Sequence, residues 1–217
     1  MKKLKKYILL DFDDVIFDSW KLGAALIKIF KTDQKNYNQA YQELFRIKGK
    51  LVPYDPIKHF KKIKNPNKKE VEKMRVTIKN FLNDTGKFVF KDALDFLEKN
   101  KNLDLYLVTF GLKNFQAEKI NSSGIRKFFK KIIILKTWKS EAVKIIFSGR
   151  LIRNEVIYFF DDSIRFLEEM KKKYPRVKTV LVKRRKKPDQ VKNKYCDYEI
   201  KNFSEAAEII NNETAEE

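Results

Sequence analysis

Short apolar runs recur along this chain, and between them the apolar residues fall at helical spacing. Residues 7–12, 103–109, 131–135, 156–160 and 179–182 are apolar and rich in β-branched or aromatic side chains. Runs this short and this continuously apolar read as strands buried on both faces, the mark of a parallel sheet. Amphipathic stretches over 115–121, 140–147 and 164–173 follow most of them. A last strand near 198–200 precedes a helix over 204–210 and an acidic end, "NNETAEE". Such strand–helix alternation predicts an α/β fold with a doubly wound parallel sheet, whose ligands bind beyond the carboxyl ends of the strands.

The rhythm breaks between the first two strands. Residues 19–88 read as helical, with segments near 20–30, 37–46, 56–62 and 69–83, punctuated by the prolines of "LVPYDP" and "KNPNKK". A block of about 70 residues is far too long for one crossover. Residues 19–88 are therefore expected to form an all-helical cap subdomain inserted after the first strand, with 1–18 and 89–217 forming the core. The chain returns through "TGKFVFKDALDFLEKN", where Phe90, Leu94 and Leu97 are expected to share one helical face.

Composition narrows the class. With 217 residues and 18 Phe the chain can bury a real core. A single cysteine, Cys196, excludes an internal disulfide and suits a reducing cytoplasm; it reads as a small buried filler near the final strand. The basic opening resembles a signal peptide, but its apolar stretch at 7–10 is too short and acids follow at once. No apolar run approaches a membrane span. A soluble cytoplasmic protein, monomer or homodimer, with no membrane partner is expected.

The formal charge of +20 raises nucleic acid as a partner. Yet 40 of the 49 basic residues are Lys and only nine are Arg, the residue suited to bidentate phosphate or base recognition. The chain is also rich in Ile, Asn, Phe and Tyr, whose A/T-rich codons match those of Lys, so nucleic acid is the lesser expectation. Residues 19–88 hold 17 basic against six acidic residues, and the rest of the chain 32 against 23. If the insertion roofs the crevice, its field draws anions toward it.

Each predicted strand end presents chemistry to that crevice. The first delivers Asp11 and Asp13 in "DFDD", with Asp14 as a third carboxylate. The second ends at Thr109 with Gly111 behind it, the third leads to Lys139 just before a helix, and the fourth ends in Asp161 and Asp162. Like charges this close need a compensating cation, and all-oxygen ligands suit a hard one.

This order of motifs resembles the haloacid dehalogenase (HAD) superfamily of phosphohydrolases, in the branch with a helical, C1-type cap after the first strand. The resemblance runs from residue 7 to about residue 210. It implies a Rossmann-like core and Mg²⁺-dependent cleavage of phosphate monoesters of a small metabolite or nucleotide. Mg²⁺ would be held by Asp11, the backbone carbonyl of Asp13, and Asp161, with Asp162 direct or through water. Asp11 would attack phosphorus to give an aspartyl-phosphate. Asp13 would protonate the leaving alcohol and later activate water, its pKa raised by neighbouring carboxylates. Thr109 and the N–H groups of Phe110 and Gly111 would bind phosphoryl oxygens, and Lys139 would neutralise charge, with Lys136 the alternative lysine. Asp14 stands where many relatives carry Gly.

Other readings stay beside this one. A phosphomutase would use the same core, a polynucleotide phosphatase or nucleic-acid-binding protein the basic surface, and a binding protein a degenerate scaffold. A response-regulator receiver fits poorly, because its acceptor ends the third strand and "IIILKTW" has no acid. Asp13 argues against haloacid dehalogenation, which needs no acid/base Asp there. Ser163 is expected to cap the helix after the fourth strand, and Asp18 and Ser19 the entry to the insertion. His59 is expected to be solvated, and the basic run at 182–194 a solvated loop, with an anion-binding rim as the alternative.

Overall fold

The structure is a computed structural model that describes residues 5–148, 155–185 and 191–212, with residue 212 in its backbone only. Six strands, β1 (Lys5–Leu10), β2 (Asp104–Phe110), β3 (Lys131–Leu135), β4 (Glu155–Asp161), β5 (Lys178–Val182) and β6 (Tyr198–Ile200), form one sheet. Every pairing is parallel and the order is β3-β2-β1-β4-β5-β6. The first strand thus lies inside the sheet, and the chain winds outward from it to either side. Between β1 and β4 the order reverses, which opens a crevice at their carboxyl ends. Leu10 pairs with Phe160 and Leu107, and the Asp11 N–H continues the ladder to the Phe160 carbonyl at 2.9 Å.

Between β1 and β2 run α1 (Ser19–Phe30), α2 (Gln34–Phe45), α3 (Pro56–Lys64) and α4 (Lys68–Phe81), then α5 (Lys91–Lys99). After β2 come α6 (Lys113–Ser122), α7 (Glu141–Phe147), α8 (Ile164–Lys173) and α9 (Ala206–Asn212). Side chains alternate across the sheet. Ile8 and Leu10 pack with Phe96 of α5, Ile120 of α6 and Ala206 of α9, while Tyr7 and Leu9 pack with Val143 of α7 and Leu167 and Met170 of α8. Cys196 is buried in the second of these layers.

Cap chemistry sets the ends of the inserted helices. Asp18, Asp33, Asp55 and Asn67 each accept a backbone N–H at the start of α1 to α4. Pro56 occupies the first turn of α3, and Asn67 with Glu70 completes a capping box. The way in and the way out lie side by side: Phe90 N–H donates to Ile16 O at 2.9 Å and Asp18 N–H to Phe88 O at 2.7 Å. A loop of 70 residues between these points can therefore fold on itself without disturbing the sheet.

Three expectations change. Leu94 is exposed; the buried face of α5 is Ala93, Phe96 and Leu97, one position earlier, where Phe96 meets Phe203 with ring centroids 4.7 Å apart. His59 is fully buried, with Nδ1 3.0 Å from Tyr54 Oη and Nε2 2.9 Å from the Tyr37 carbonyl. Rings of Phe30, Tyr37, Tyr41, Phe45 and Tyr54 surround it, because α3 turns Pro56, His59 and Phe60 inward as one stripe. The basic run is anchored at its start. Arg184 donates to Val15 O at 2.8 Å and to Asp92 at 2.6 Å, and Arg185 to Asp18 at 2.7 Å. Residues 186–190 of that run and the acidic end from 213 lie outside the described residues. No helix among the described residues is long and apolar enough to cross a membrane.

Candidate active site

Sheet geometry brings the acids together. Asp11 follows β1 directly and Asp161 ends β4, so parallel neighbours place them side by side. Asp11, Asp161 and Asp162 each offer a carboxylate oxygen, and these atoms lie within 4.8 Å of one another. Asp11 and Asp161 are buried, and Asp162 is half-buried. Lys139, from the turn before α7, reaches between the first two: its Nζ is 2.8 Å from Asp11 Oδ1 and 2.7 Å from Asp161 Oδ2. The ammonium also lies over the Phe166 ring, 4.4 Å from its centroid. Lys136 is exposed, and Lys139 is the lysine in contact with this cluster.

One ammonium among three carboxylates leaves an electrostatic signature. Burial, with the charges of Asp161 and Asp162, holds Asp11 well above the usual carboxylate range against the pull of Lys139. Burial and Asp162 push Asp161 up to about 6, again against Lys139. For Lys139, burial favours the neutral amine, but Asp11 and Asp161 outweigh it and hold the proton on. The Ser163 N–H donates to Asp161 Oδ1 at 2.9 Å. Ser163 stands at the start of α8 as expected, but its hydroxyl makes no capping bond.

Asp13 has a different environment from the one expected of it. Its neighbours are donors, not carboxylates: Lys119 Nζ at 2.5 Å and Ser19 Oγ at 2.6 Å on Oδ1, and Gln116 Nε2 at 2.6 Å on Oδ2. Burial works against ionisation, but the Lys119 charge and these three hydrogen bonds prevail and hold Asp13 below its ordinary value. The expected raised pKa is therefore absent from this arrangement. Ser19 spends its hydroxyl on Asp13, leaving Asp18 as the α1 cap.

Thr109 is buried within β2, where its Oγ accepts from Gln116 Nε2 at 2.8 Å. The Gly111 N–H donates to Leu135 O at 2.8 Å, which commits it to the sheet rather than to a phosphate, contrary to expectation. Gly111 has a different use: a Cβ there would stand 2.6 Å from Gln116 Cγ, so only glycine lets that side chain approach. Phe110 ends β2 opposite Leu135, half-buried. Asp14 takes φ of 58°, the left-handed region that favours glycine.

Two side chains in contact with Asp13 escaped the sequence reading, Gln116 and Lys119. Both are buried on α6 with Ile120, at positions i, i+3 and i+4. The sequence of α6 has no apolar stripe that would have marked this face as buried.

No protein-family model matches the chain, and no curated protein sequence is significantly similar to it. Solved structures are similar in fold. YfnB of Bacillus subtilis, a HAD-hydrolase solved bound to magnesium, matches with a TM-score of 0.67 and 19% identity over 97% of this chain and 100% of its own. A phosphatase-designated protein of Clostridium difficile gives 0.66 and 14% over 97% and 100%. The L-2-haloacid dehalogenase of Xanthobacter autotrophicus, with chloropropionic acid covalently bound, gives 0.64 and 10% over 95% and 98%. The fold is that of the haloacid dehalogenase-like hydrolases, over nearly the whole chain.

Proposed function

We propose that this protein is a divalent-cation-dependent phosphohydrolase that cleaves phosphate monoesters of a small metabolite or nucleotide through Asp11. The observation that carries this reading is the Asp11–Lys139–Asp161 bridge at the carboxyl ends of β1 and β4, with Asp162 in the same oxygen cluster. The donor set fits a hard ion: it is all oxygen, and it carries more negative charge than one lysine balances. Asp11, Asp161, Asp162 and the Asp13 carbonyl would hold Mg²⁺, which would supply positive charge for the nucleophile and the phosphoryl oxygens.

The residues then have distinct tasks. An Asp11 carboxylate oxygen bonds to phosphorus as the ester P–O bond breaks, giving an aspartyl-phosphate and an alkoxide. Asp13 gives that alkoxide a proton and afterwards takes one from the water that cleaves the acyl-phosphate. An incoming phosphate dianion beside Asp13 raises its proton affinity, which offsets the pull of Lys119. Thr109 donates its hydroxyl hydrogen to a phosphoryl oxygen while Gln116 holds its oxygen, and Lys139 balances charge on Asp11 and on the transferring group. The presence of Asp13 favours phosphate over haloacid chemistry. Residues 19–88 act as the cap over a core of 1–18 and 89–217, which restricts the site to small substrates.

Phosphate release from p-nitrophenyl phosphate, with Mg²⁺ and with EDTA, tests the reading. Release that requires Mg²⁺ supports it. Metal-independent release, or halide release from 2-chloropropionate in place of phosphate release, rejects it.

A further inference from the structure

We propose that Lys119 and Gln116 are positioning residues that fix the carboxylate of Asp13 against the phosphoryl site. The inference rests on the reading of Asp13 as the group that faces the leaving oxygen.

The cost of Lys119 is the first argument. Its side chain is 3% exposed, and its ammonium lies 5.1, 5.0 and 5.2 Å from the ring centroids of Phe12, Phe17 and Phe115. A methionine would fill such an aromatic cage without a buried charge to satisfy. The charge has a purpose only through what it touches, and the carboxylate it touches is Asp13, at 2.5 Å.

Gln116 supplies the second, independent argument. Its Nε2 donates to Asp13 Oδ2 at 2.6 Å and to Thr109 Oγ at 2.8 Å, so one amide sets the spacing between the acid/base carboxylate and the phosphate-binding hydroxyl. Its Oε1 is buried with no hydrogen-bond partner. A buried acceptor without a partner calls for a reason, and the two bonds made by the other end of this amide supply one. Gly111 is shaped to admit it, since any Cβ there would collide with the Gln116 side chain. Together, Lys119 and Ser19 hold one oxygen of Asp13 and Gln116 the other, so the carboxylate cannot rotate.

The test compares wild type, Lys119→Met, Asp13→Asn and the double variant on p-nitrophenyl phosphate and on phenyl phosphate, whose leaving phenoxide is the stronger base. If Lys119 acts through Asp13, Lys119→Met lowers kcat on phenyl phosphate about 10- to 100-fold with KM little changed. The loss on p-nitrophenyl phosphate is smaller, and Asp13→Asn loses nothing more when Lys119 is also replaced. Equal losses on both esters, or a further loss in the Asp13→Asn background, would overturn the proposal and leave Lys119 a structural residue. If Lys119→Met does not fold, Gln116→Met is read by the same two contrasts. A wild type inactive on both esters rejects the hydrolase reading alone. The positioning claim is then decided by a crystal structure of Lys119→Met: Asp13 turned away from Gln116 upholds it, and Asp13 unmoved overturns it.

Discussion

Lys139 shows how much one side chain holds in place here. It is the ammonium between two buried carboxylates, and each carboxylate is pushed up by burial and by its acidic neighbours. Removing one partner of a buried ion pair typically costs about 3–5 kcal/mol, because the other charges stay uncompensated. Lys139→Met in metal-free buffer is expected to lose about 3 kcal/mol by urea denaturation. Its phosphate release is expected to fall at least ~100-fold, the scale of losing one preorganised charge in an active site. An unchanged unfolding midpoint would show that the two aspartates do not depend on this lysine.

Residues next to a strand end were legible in the sequence; residues on a helix face were not. Asp11 and Asp161 sit where an apolar run stops and Lys139 just before the helix that follows the third run, and these three meet in one cluster. Gln116 and Lys119 are two polar residues on a short helix, and polar helix positions ordinarily face water. Only the packing of α6 against the loop after β1 reveals that theirs face inward. The expected raised pKa of Asp13 failed for the same reason, since its partners come from α1 and α6 rather than from the acidic cluster.

At the scale of elements, α2 and α3 are joined around His59. Burial lowers its pKa, only partly offset by the hydrogen bond to Tyr37, so the imidazole is neutral in the folded protein at pH 7. Below its ordinary value of 6.5 the unfolded chain binds a proton that the folded chain refuses. The His59 contribution to stability is therefore fully present above pH 6.5 and is lost as pH falls below it. The slope cannot exceed about 1.4 kcal/mol per pH unit for one proton. His59→Gln is expected to flatten stability between pH 6.5 and 5 relative to wild type, as read by urea titrations across that range. Parallel curves for the two proteins would exclude His59 as the titrating group.

Strand and helix positions followed from periodicity because burial on both faces leaves β1, β2 and β4 almost wholly apolar. The caps of α2, α3 and α4 fall on Asp33, Asp55 and Asn67, which the sequence pattern had not singled out. His59 was misread since a lone histidine among lysines looks solvated, although Pro56, His59 and Phe60 keep the i, i+3, i+4 spacing of a buried stripe. Which face α5 buries turned on a single position, decided by the ring of Phe203 from the far end of the chain.

For the whole molecule, charge is unevenly divided. The excess of basic over acidic residues is 11 within residues 19–88 and nine in the much longer remainder. Part of the inserted segment reaches α8, which follows Asp161 and Asp162: Arg165 donates to Lys50 O at 3.0 Å, and Leu51 packs against the core layer that includes Phe166 and Leu167. Under the proposed function, lysines on that segment would draw a phosphate toward a cluster that would otherwise repel it. Lys48→Glu with Lys50→Glu is expected to raise KM for p-nitrophenyl phosphate severalfold at low salt and hardly at all at 0.5 M or so, where the Debye length has shrunk to a few ångströms. A salt-independent change in KM would point to lost contacts instead of a lost field.

The central claim is that Asp11 is the nucleophile, and the most direct measurement is mass spectrometry of enzyme quenched in acid during turnover with Mg²⁺. The expected result is a phosphoryl adduct on the peptide that contains Asp11 in the wild type, with neither adduct nor phosphate release from Asp11→Asn. Phosphate release by Asp11→Asn at the wild-type rate, or an adduct on another residue, would contradict it.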